Sequence, residues 1–296
     1  MKADLCGKTR LAKAFENKGF VAYTVAGDPS VKESVIAAKA LVRGGCDVLE
    51  LGVPFSDPVA DGPVIQKADK RALDAGITVD GVFEVVREIR KFSDVPLVFL
   101  VYCNIVFRRG VDRFYDEAKE AGVDGILIVD MPPEESGPAL KASKRTGIAQ
   151  IFLVTQTTSD ERLDKIVEMA SGFVYLVSTL GVTGQRAEVS EKAFPLLEKV
   201  EAKTSVPVAV GFGISKPEHA EEIVGHGADG VIVGSAIVSI IEKFSGKCNG
   251  ESKDGANGNE MTVTDGKEKD KETEEMCNEL SEYVKSMKDA MKNVMR

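Results

Sequence analysis

Three carboxylates lie close together in the stretch LELGVPFSDPVADGP, residues 49–63. Glu50 ends an apolar run, and burying a carboxylate is costly unless it is compensated. The neighbouring strand ends supply no cation, so Glu50 indicates acid–base chemistry. Asp61 has two open interpretations, a functional carboxylate or the N-cap of the helix that follows it. For Asp57, a role in capping, turn formation or a surface contact is favoured over catalysis.

A second group of candidate residues is rich in glycine and comes from three places in the chain. These are GVTGQR (181–186), GFGIS (211–215) and GSA (234–236), each after a different predicted strand. Glycines let backbone N–H groups approach an anion closely, and a helix that begins after Gly234 would favour negative charge at its N-terminus. Together the three segments predict a phosphate site built from neutral amides.

Large apolar and aromatic residues end other predicted strands. Such residues are usually core, but here they would also form a flat apolar slot suited to an aromatic substrate. Phe212 adds an aromatic ring beside the glycines of the phosphate loop. The strand-end residues are Tyr23, Leu100, Tyr102, Leu127 and Tyr175.

The elements that must position these groups are eight short, almost continuously apolar runs that alternate with amphipathic segments. Such runs are typical of parallel strands buried on both faces. Eight strand–helix units over roughly 220 residues predict a single (β/α)₈ TIM barrel. A doubly wound open sheet is the alternative, but no GxGxxG follows the first run. The predicted strands are 20–27, 47–52, 96–102, 125–130, 150–155, 173–178, 207–213 and 230–234.

The two ends of the chain add further elements. Leu5, Leu11, Ala12 and Phe15 predict a short N-terminal helix that closes the lower end of the barrel, within a barrel domain of residues 1–245. Residues 246–275 are acidic and of low complexity, which predicts a disordered insertion. Residues 276–296 carry an apolar stripe that predicts a C-terminal helix packed on the barrel, with partner binding as the less favoured alternative.

Composition excludes several classes of function. The 296 residues have a net charge of −9, which argues against binding nucleic acid. No apolar run reaches the length of a membrane span, and five scattered cysteines predict free thiols in a cytoplasmic protein. Only two histidines are present, so a metal site or metal-assisted aldolase is not expected. No lysine ends a strand, which disfavours a Schiff-base aldolase.

Longer motifs resemble the α subunit family of tryptophan synthase from about residue 10 to 243. They include LELGVPFSDPVADGPVIQKA, VYCNIVFRRGVDRFYDEAKEAGVDGILIVDMPPEES, LGVTG and VAVGFGIS. The resemblance implies cleavage of indole-3-glycerol phosphate to indole and glyceraldehyde 3-phosphate. It also implies an α₂β₂ assembly with a β subunit that receives the indole and carries pyridoxal phosphate, and no cofactor in this chain.

The same resemblance implies a role for each candidate residue. Glu50 would be the general acid and base, and Asp61 would accept the indole N–H. Tyr175 and Thr183 would orient the substrate and Asp61, and Phe212 would line the site. The implied phosphate ligands are Gly184, Gly213, Gly234 and Ser235.

Some positions depart from the family pattern. Thr179 stands where Arg is common, Tyr23 where Phe is familiar, and Val129 replaces a smaller residue. Two alternative functions stay open, a stand-alone indole-releasing lyase and a weakly catalytic activator of the β subunit. The presence of Glu50 and Asp61 argues against the activator, and the resemblance of the loop after the second strand to a mobile lid argues against the stand-alone enzyme.

Overall fold

Eight parallel strands form a closed barrel in the computed structural model, which describes residues 7–177, 193–211, 213–248 and 264–294. Each strand pairs with the next in sequence, and the eighth pairs with the first. The predicted (β/α)₈ barrel is therefore confirmed. The strands are β1 (Gly19–Val25), β2 (Val48–Gly52), β3 (Leu97–Val101), β4 (Gly125–Ile128), β5 (Ala149–Val154), β6 (Val174–Val177), β7 (Val208–Gly211) and β8 (Gly230–Val233).

Helices surround the barrel, and a short 3-10 turn at Pro133–Glu135 follows β4. The helices of the described residues are α1 (Gly7–Ala14), α2 (Val31–Gly44), α3 (Pro63–Asp74), α4 (Val79–Arg90), α5 (Cys103–Arg109), α6 (Val111–Ala121), α7 (Gly137–Thr146), α8 (Asp160–Met169), α9 (Ala193–Glu201), α10 (Pro217–Gly225), α11 (Ser235–Cys248) and α12 (Thr264–Asn293).

Local capping sets several helix ends. The Ser30 side chain accepts a hydrogen bond from the Glu33 N–H at the start of α2, and Ser159 accepts one from the Arg162 N–H at the start of α8. The helix α2 ends on Gly45, whose φ of 95° is favourable only for glycine. A serine and a glycine therefore cap the two ends of α2.

Side chains alternate between two layers of core. In β2, Val48 and Glu50 point into the barrel, whereas Leu49 and Leu51 pack outward beneath the helices. Large inward side chains fill the barrel from below the cavity. An inward position near the C-terminal end of a strand therefore faces the place where barrel enzymes carry their sites.

The helix α1 closes the N-terminal end of the barrel, as predicted. Leu11 and Phe15 are buried there, while Ala12 is exposed and Leu5 lies outside the described residues. A Cβ atom at Gly230, the first residue of β8, would stand 2.7 Å from the Phe15 ring. Because Gly230 has no side chain, the Phe15 ring can pack closely against the start of β8.

The C-terminal helix α12 begins at Thr264, earlier than the predicted residue 276. Residues 264–275, assigned from composition to a disordered insertion, are helical, and α11 extends to Cys248. Residues 249–263 lie outside the described part of the chain. The predicted apolar stripe of α12 faces the barrel, and its member Tyr283 is partly buried. The five buried members of the stripe are Met276, Leu280, Val284, Met287 and Met291.

Candidate active site

Glu50 lies in β2 with its side chain in the barrel interior. It is paired in register with Tyr23 of β1 and Val98 of β3, and no part of it is exposed. Neither carboxylate oxygen has a hydrogen-bond partner among the described residues. Burial, and then the charge of Asp61, raise the pKa of Glu50 to about 8. Glu50 is therefore a protonated carboxylic acid at neutral pH.

Asp61 lies at the end of the loop after β2 and is held by an aromatic side chain from the next strand. The Tyr102 hydroxyl donates a hydrogen bond of 2.6 Å to Asp61 Oδ2 and accepts one of 3.1 Å from the Ala60 N–H. Phe55 stacks on the Tyr102 ring at a centroid distance of 5.0 Å. Burial raises the pKa of Asp61, and the Tyr102 hydrogen bond opposes that rise.

The capping alternative for Asp61 is wrong. The N-cap residue of α3 is Gly62, which makes no side-chain hydrogen bond, and Pro63 begins the helix. The Asp61 backbone carbonyl accepts a hydrogen bond of 2.8 Å from Gln66 Nε2. Its carboxylate is thereby left for Tyr102 and for the cavity.

Two tyrosines stand over Glu50 from β1 and β6. Tyr23 and Tyr175 are each 5% exposed, and burial raises the pKa of both phenols well above the ordinary value. A Cβ atom at Gly52 would come within 2.2 Å of Tyr23 Oη, and one at Gly211 within 2.6 Å of the Tyr175 ring. Glycines at the ends of β2 and β7 therefore make the room that the two phenol groups occupy.

A cavity of about 410 Å³ opens above these residues at the C-terminal end of the barrel. Its wall contains both apolar and polar groups, as in sites for small organic molecules. The described residues that line it are Tyr23, Asp61, Gly62, Ile65, Leu100, Tyr175, Gly213, Ile214, Ser215, Ile232, Gly234, Ser235, Ala236 and Ser239.

One part of the cavity wall is suited to an anion. Gly213 follows β7 with a φ of 76°, and Ser235, directly after Gly234, begins the 14-residue helix α11. Ala236 and Ser239 of the first helical turns also line the cavity. Unpaired N–H groups at a helix N-terminus, together with its dipole, favour negative charge. None of the described lining residues is cationic, so amides and hydroxyls supply the polarity.

Comparison with known proteins decides the family. The sequence model described as "Tryptophan synthase alpha chain" matches residues 10–292. This chain belongs to the tryptophan synthase alpha chain family. The protein of that name from Methanoregula boonei is 58% identical over 240 residues, which is 80% of this chain and 91% of the relative. The one from Methanothermobacter thermautotrophicus is 51% identical over 222 residues, 75% of this chain and 82% of the relative.

Solved structures of the tryptophan synthase alpha family share the fold. A chain of the Pyrococcus furiosus tryptophan synthase a2b2 complex is 37% identical, with a TM-score of 0.78, and the match covers 91% of this chain and 97% of that one. The alpha subunit from Legionella pneumophila is 35% identical with a TM-score of 0.79, over 96% and 98% of the two chains. The family resemblance read from the sequence is confirmed.

The structure brings most of the predicted site residues of this family member together. Glu50 lies beneath the cavity. Among the described residues, Tyr102 is joined to the cavity wall through its hydrogen bond to Asp61. Leu127 is buried and does not line the cavity. Thr183, Gly184, Phe212 and Thr179 lie outside the described residues. Those that line the cavity are Tyr23, Asp61, Leu100, Tyr175, Gly213, Gly234 and Ser235.

Several residues near the site were not predicted from the sequence. Ile65, Ile214 and Ile232 form apolar parts of the wall. Asp69 is 3% exposed, and burial followed by the charges of Asp61 and Asp28 raises its pKa to about 8. Ile65 and Asp69 are four residues apart in α3, so the helical period is the signal that could have identified these two residues.

Proposed function

We propose that this chain is the α subunit of a tryptophan synthase that cleaves indole-3-glycerol phosphate to indole and glyceraldehyde 3-phosphate. The observation that carries the proposal is Glu50, a fully buried acid with no partner in the described residues. It lies below a cavity that is lined by Asp61 and by the residues of the anion site, Gly213, Gly234 and Ser235. A substrate with an aromatic amine at one end and a phosphate at the other fits these groups.

Glu50 can serve both proton transfers of the retro-aldol reaction. Because its pKa is about 8, it begins protonated and can give that proton to the indole carbon at the bond to be broken. The resulting carboxylate then takes the proton of the adjacent side-chain hydroxyl. The carbon–oxygen double bond forms, the carbon–carbon bond breaks, and its electron pair returns to the ring. Glu50 ends the cycle protonated, as it began.

Asp61 stabilises the charge that this sequence creates. Protonation of the indole carbon leaves positive charge on the ring nitrogen, and a carboxylate that accepts the N–H lowers the energy of that state. The Tyr102 hydroxyl fixes Asp61 Oδ2 at 2.6 Å and favours its ionised form. The two acids thus have different environments and different roles.

Amide groups at the end of β7 and the start of α11 hold the phosphate. Gly213, Gly234 and Ser235 line the cavity there, and Ser235 begins α11. The family resemblance adds Gly184 as a phosphate ligand, Thr183 as a residue that orients the substrate and Asp61, and Phe212 as part of the site lining. These three roles remain predictions. The apolar side chains of Leu100, Ile65 and Ile232 supply the slot for the indole ring.

A β subunit is the proposed partner, in an α₂β₂ assembly like the a2b2 complex of the Pyrococcus furiosus relative. Large apolar side chains are exposed near the cavity mouth, with Val59 84% and Phe107 51% exposed. A surface of this kind is typical of a protein-binding face. The pyridoxal phosphate of the assembly belongs to the β subunit, and the carboxylates of this chain act without a cofactor.

We place the enzyme in the cytoplasm. Cys46, Cys103 and Cys277 are free thiols, as expected in a reducing compartment. Within the described residues, no helix has the length and apolarity needed to span a bilayer.

The decisive experiment is an assay of indole release from indole-3-glycerol phosphate by the purified chain, alone and with a tryptophan synthase β subunit. Glu50→Gln removes the proton donor and base, so we expect cleavage to fall by at least a hundredfold. Asp57→Asn is the matched control, because Asp57 is an exposed carboxylate of the loop that follows β2. Cleavage within a few-fold of the wild type in Glu50→Gln would contradict the mechanism. Gel filtration of the mixture tests the assembly: full activity of the chain with no complex would instead favour the stand-alone lyase.

A further inference from the structure

Tyr23 presents a polar group to the cavity that the proposed mechanism does not yet use. Its ring lines the cavity wall, and it is the cross-strand partner of Glu50. Its hydroxyl makes no hydrogen bond with any residue in the described part of the chain. A phenol that is 5% exposed and has no hydrogen-bond partner among the described residues is well placed to hydrogen-bond a ligand.

The position of the Tyr23 hydroxyl follows from its two glycine neighbours. Tyr23 Oη lies over Gly52, 2.2 Å from an ideal Cβ position, and Gly52 is two residues beyond Glu50 in β2. The other edge of the ring faces Gly234, with Cδ1 3.2 Å from an ideal Cβ position there. The ring therefore spans from the anion site to the acids, with its hydroxyl on the side of the acids.

The charges around Tyr23 keep its hydroxyl a hydrogen-bond donor. Burial raises its pKa most, followed by the charges of Asp61, Asp69 and Glu50. The phenol is therefore protonated throughout the pH range in which Glu50 exchanges its proton. It can give a hydrogen bond to an oxygen near Glu50 and cannot act as a base there.

We propose that Tyr23 is a further catalytic residue of this enzyme, whose hydroxyl donates a hydrogen bond to the substrate oxygen that Glu50 deprotonates. This inference rests on the proposed function. The oxygen gains negative charge as its proton leaves and becomes the carbonyl oxygen of the aldehyde product. A donor held in place stabilises that developing charge more than it stabilises the starting hydroxyl. Tyr23 transfers no proton, so the proton balance at Glu50 is unchanged.

The test is Tyr23→Phe, assayed for kcat and KM with indole-3-glycerol phosphate. Because the hydrogen bond strengthens in the transition state, we expect kcat to fall about tenfold and KM to stay within about twofold. Indole-3-propyl phosphate lacks both side-chain hydroxyls, so its inhibition constant should not change. Tyr115→Phe is the matched control: Tyr115 is a buried tyrosine whose hydroxyl donates to Gln150, and kcat should not change.

Each outcome of this test bears on a separate claim. An unchanged kcat in Tyr23→Phe overturns the inference. So does an equal weakening of the propyl analogue, because the Tyr23 hydroxyl would then act on a part of the ligand other than the side-chain hydroxyls. A wild-type chain that neither cleaves nor binds the glycerol substrate overturns the proposed function itself, and the inference with it. Unchanged binding of the propyl analogue also shows that the variant is folded.

Discussion

Glu50 and Asp61 are two acids of one site, and burial raises the pKa of both while their hydrogen-bonding surroundings differ. Glu50 has no hydrogen-bond partner among the described residues, and burial is the main cause of its raised pKa. Asp61 receives the Tyr102 hydroxyl, which opposes the effect of burial on its pKa. The barrel interior thus keeps one acid protonated, and the hydrogen-bonded loop favours the charge on the other.

The raised pKa of Glu50 predicts a pH-dependent cost to stability. Its ordinary pKa is 4.5 and its pKa in the folded chain is about 8. Below the lower value both states are protonated. Between the two values only the unfolded chain loses the proton, so the free energy of unfolding falls as pH rises, by up to about 1.4 kcal/mol per pH unit. Glu50→Gln has no ionisable group at this position, so this pH dependence of the free energy of unfolding is lost.

Urea unfolding of the wild type and Glu50→Gln at about pH 5 and about pH 8 measures the effect. We expect the stability advantage of Glu50→Gln to be larger at the higher pH. Asp69 also has a raised pKa, but it is present in both proteins, so its contribution cancels in the difference. The same difference at both pH values would mean that Glu50 is ionised and solvated in the folded chain.

For single residues, the sequence predicts where a functional side chain lies more readily than it predicts which side chain it contacts. Glu50 is identifiable because an acid interrupts an apolar strand near its end. The contact between Asp61 and Tyr102 joins residues 41 positions apart, and no local pattern signals it. The sequence places Tyr102 in the substrate slot, and within the described residues its hydroxyl contacts Asp61 and Ala60.

The elements around the cavity are tied together by a buried ion-pair network. Arg71 of α3 donates two hydrogen bonds, of 2.8 and 2.9 Å, to the fully buried Asp28 after β1. A third, of 3.2 Å, goes to Glu242 of α11. The helix that follows Asp61 is thereby joined to the helix whose N-terminus lies at the anion site. Tyr283 of α12 also donates to the Ser215 carbonyl, 3.0 Å away, in the cavity wall.

The start of α11 and the turn at Gly213 predict a charge-dependent effect on phosphate binding. Gly213→Asp places a negative side chain where amides face the anion, so we expect KM for indole-3-glycerol phosphate to rise at least tenfold. Gly213→Asn is the matched control, since it adds a neutral side chain of the same shape at the same φ of 76°, which Asn tolerates. Steady-state kinetics of both variants provide the comparison. An equal rise in KM for the two would trace the loss to backbone strain and contradict the anion site.

Element ends follow from the sequence where apolar residues define them. The eight strands lie within two residues of their predicted starts, because almost continuous apolar runs set their lengths. The predicted start of α12, residue 276, is 12 residues later than its start in the structure, Thr264. Residues 270–275 bury little, but Lys and Glu are good helix formers, and Lys271 and Glu275 pair at i and i+4 with a distance of 3.9 Å. Composition alone does not separate such a helix from disorder.

The two ends of the whole molecule differ in what they bury. The N-terminal end of the barrel is closed by Leu11 and Phe15, and α12 packs against α2, α10 and α11 on the outside. The C-terminal end leaves Val59 and Phe107 exposed. Phe107 belongs to α5, which begins directly after β3, and this places it at the mouth of the barrel.

Phe107→Asp tests whether this face binds the β subunit. Charge in an apolar contact is costly to desolvate, so we expect affinity for the β subunit to fall at least tenfold, while indole release by the isolated chain stays within about twofold. Phe92→Asp is the matched control, because Phe92 is 39% exposed and follows α4 near the N-terminal end of the barrel. Titration of each variant with a β subunit by calorimetry gives the affinities. Equal affinities for Phe107→Asp and the wild type would place the partner on another face, since an aspartate at the centre of an apolar interface cannot be neutral.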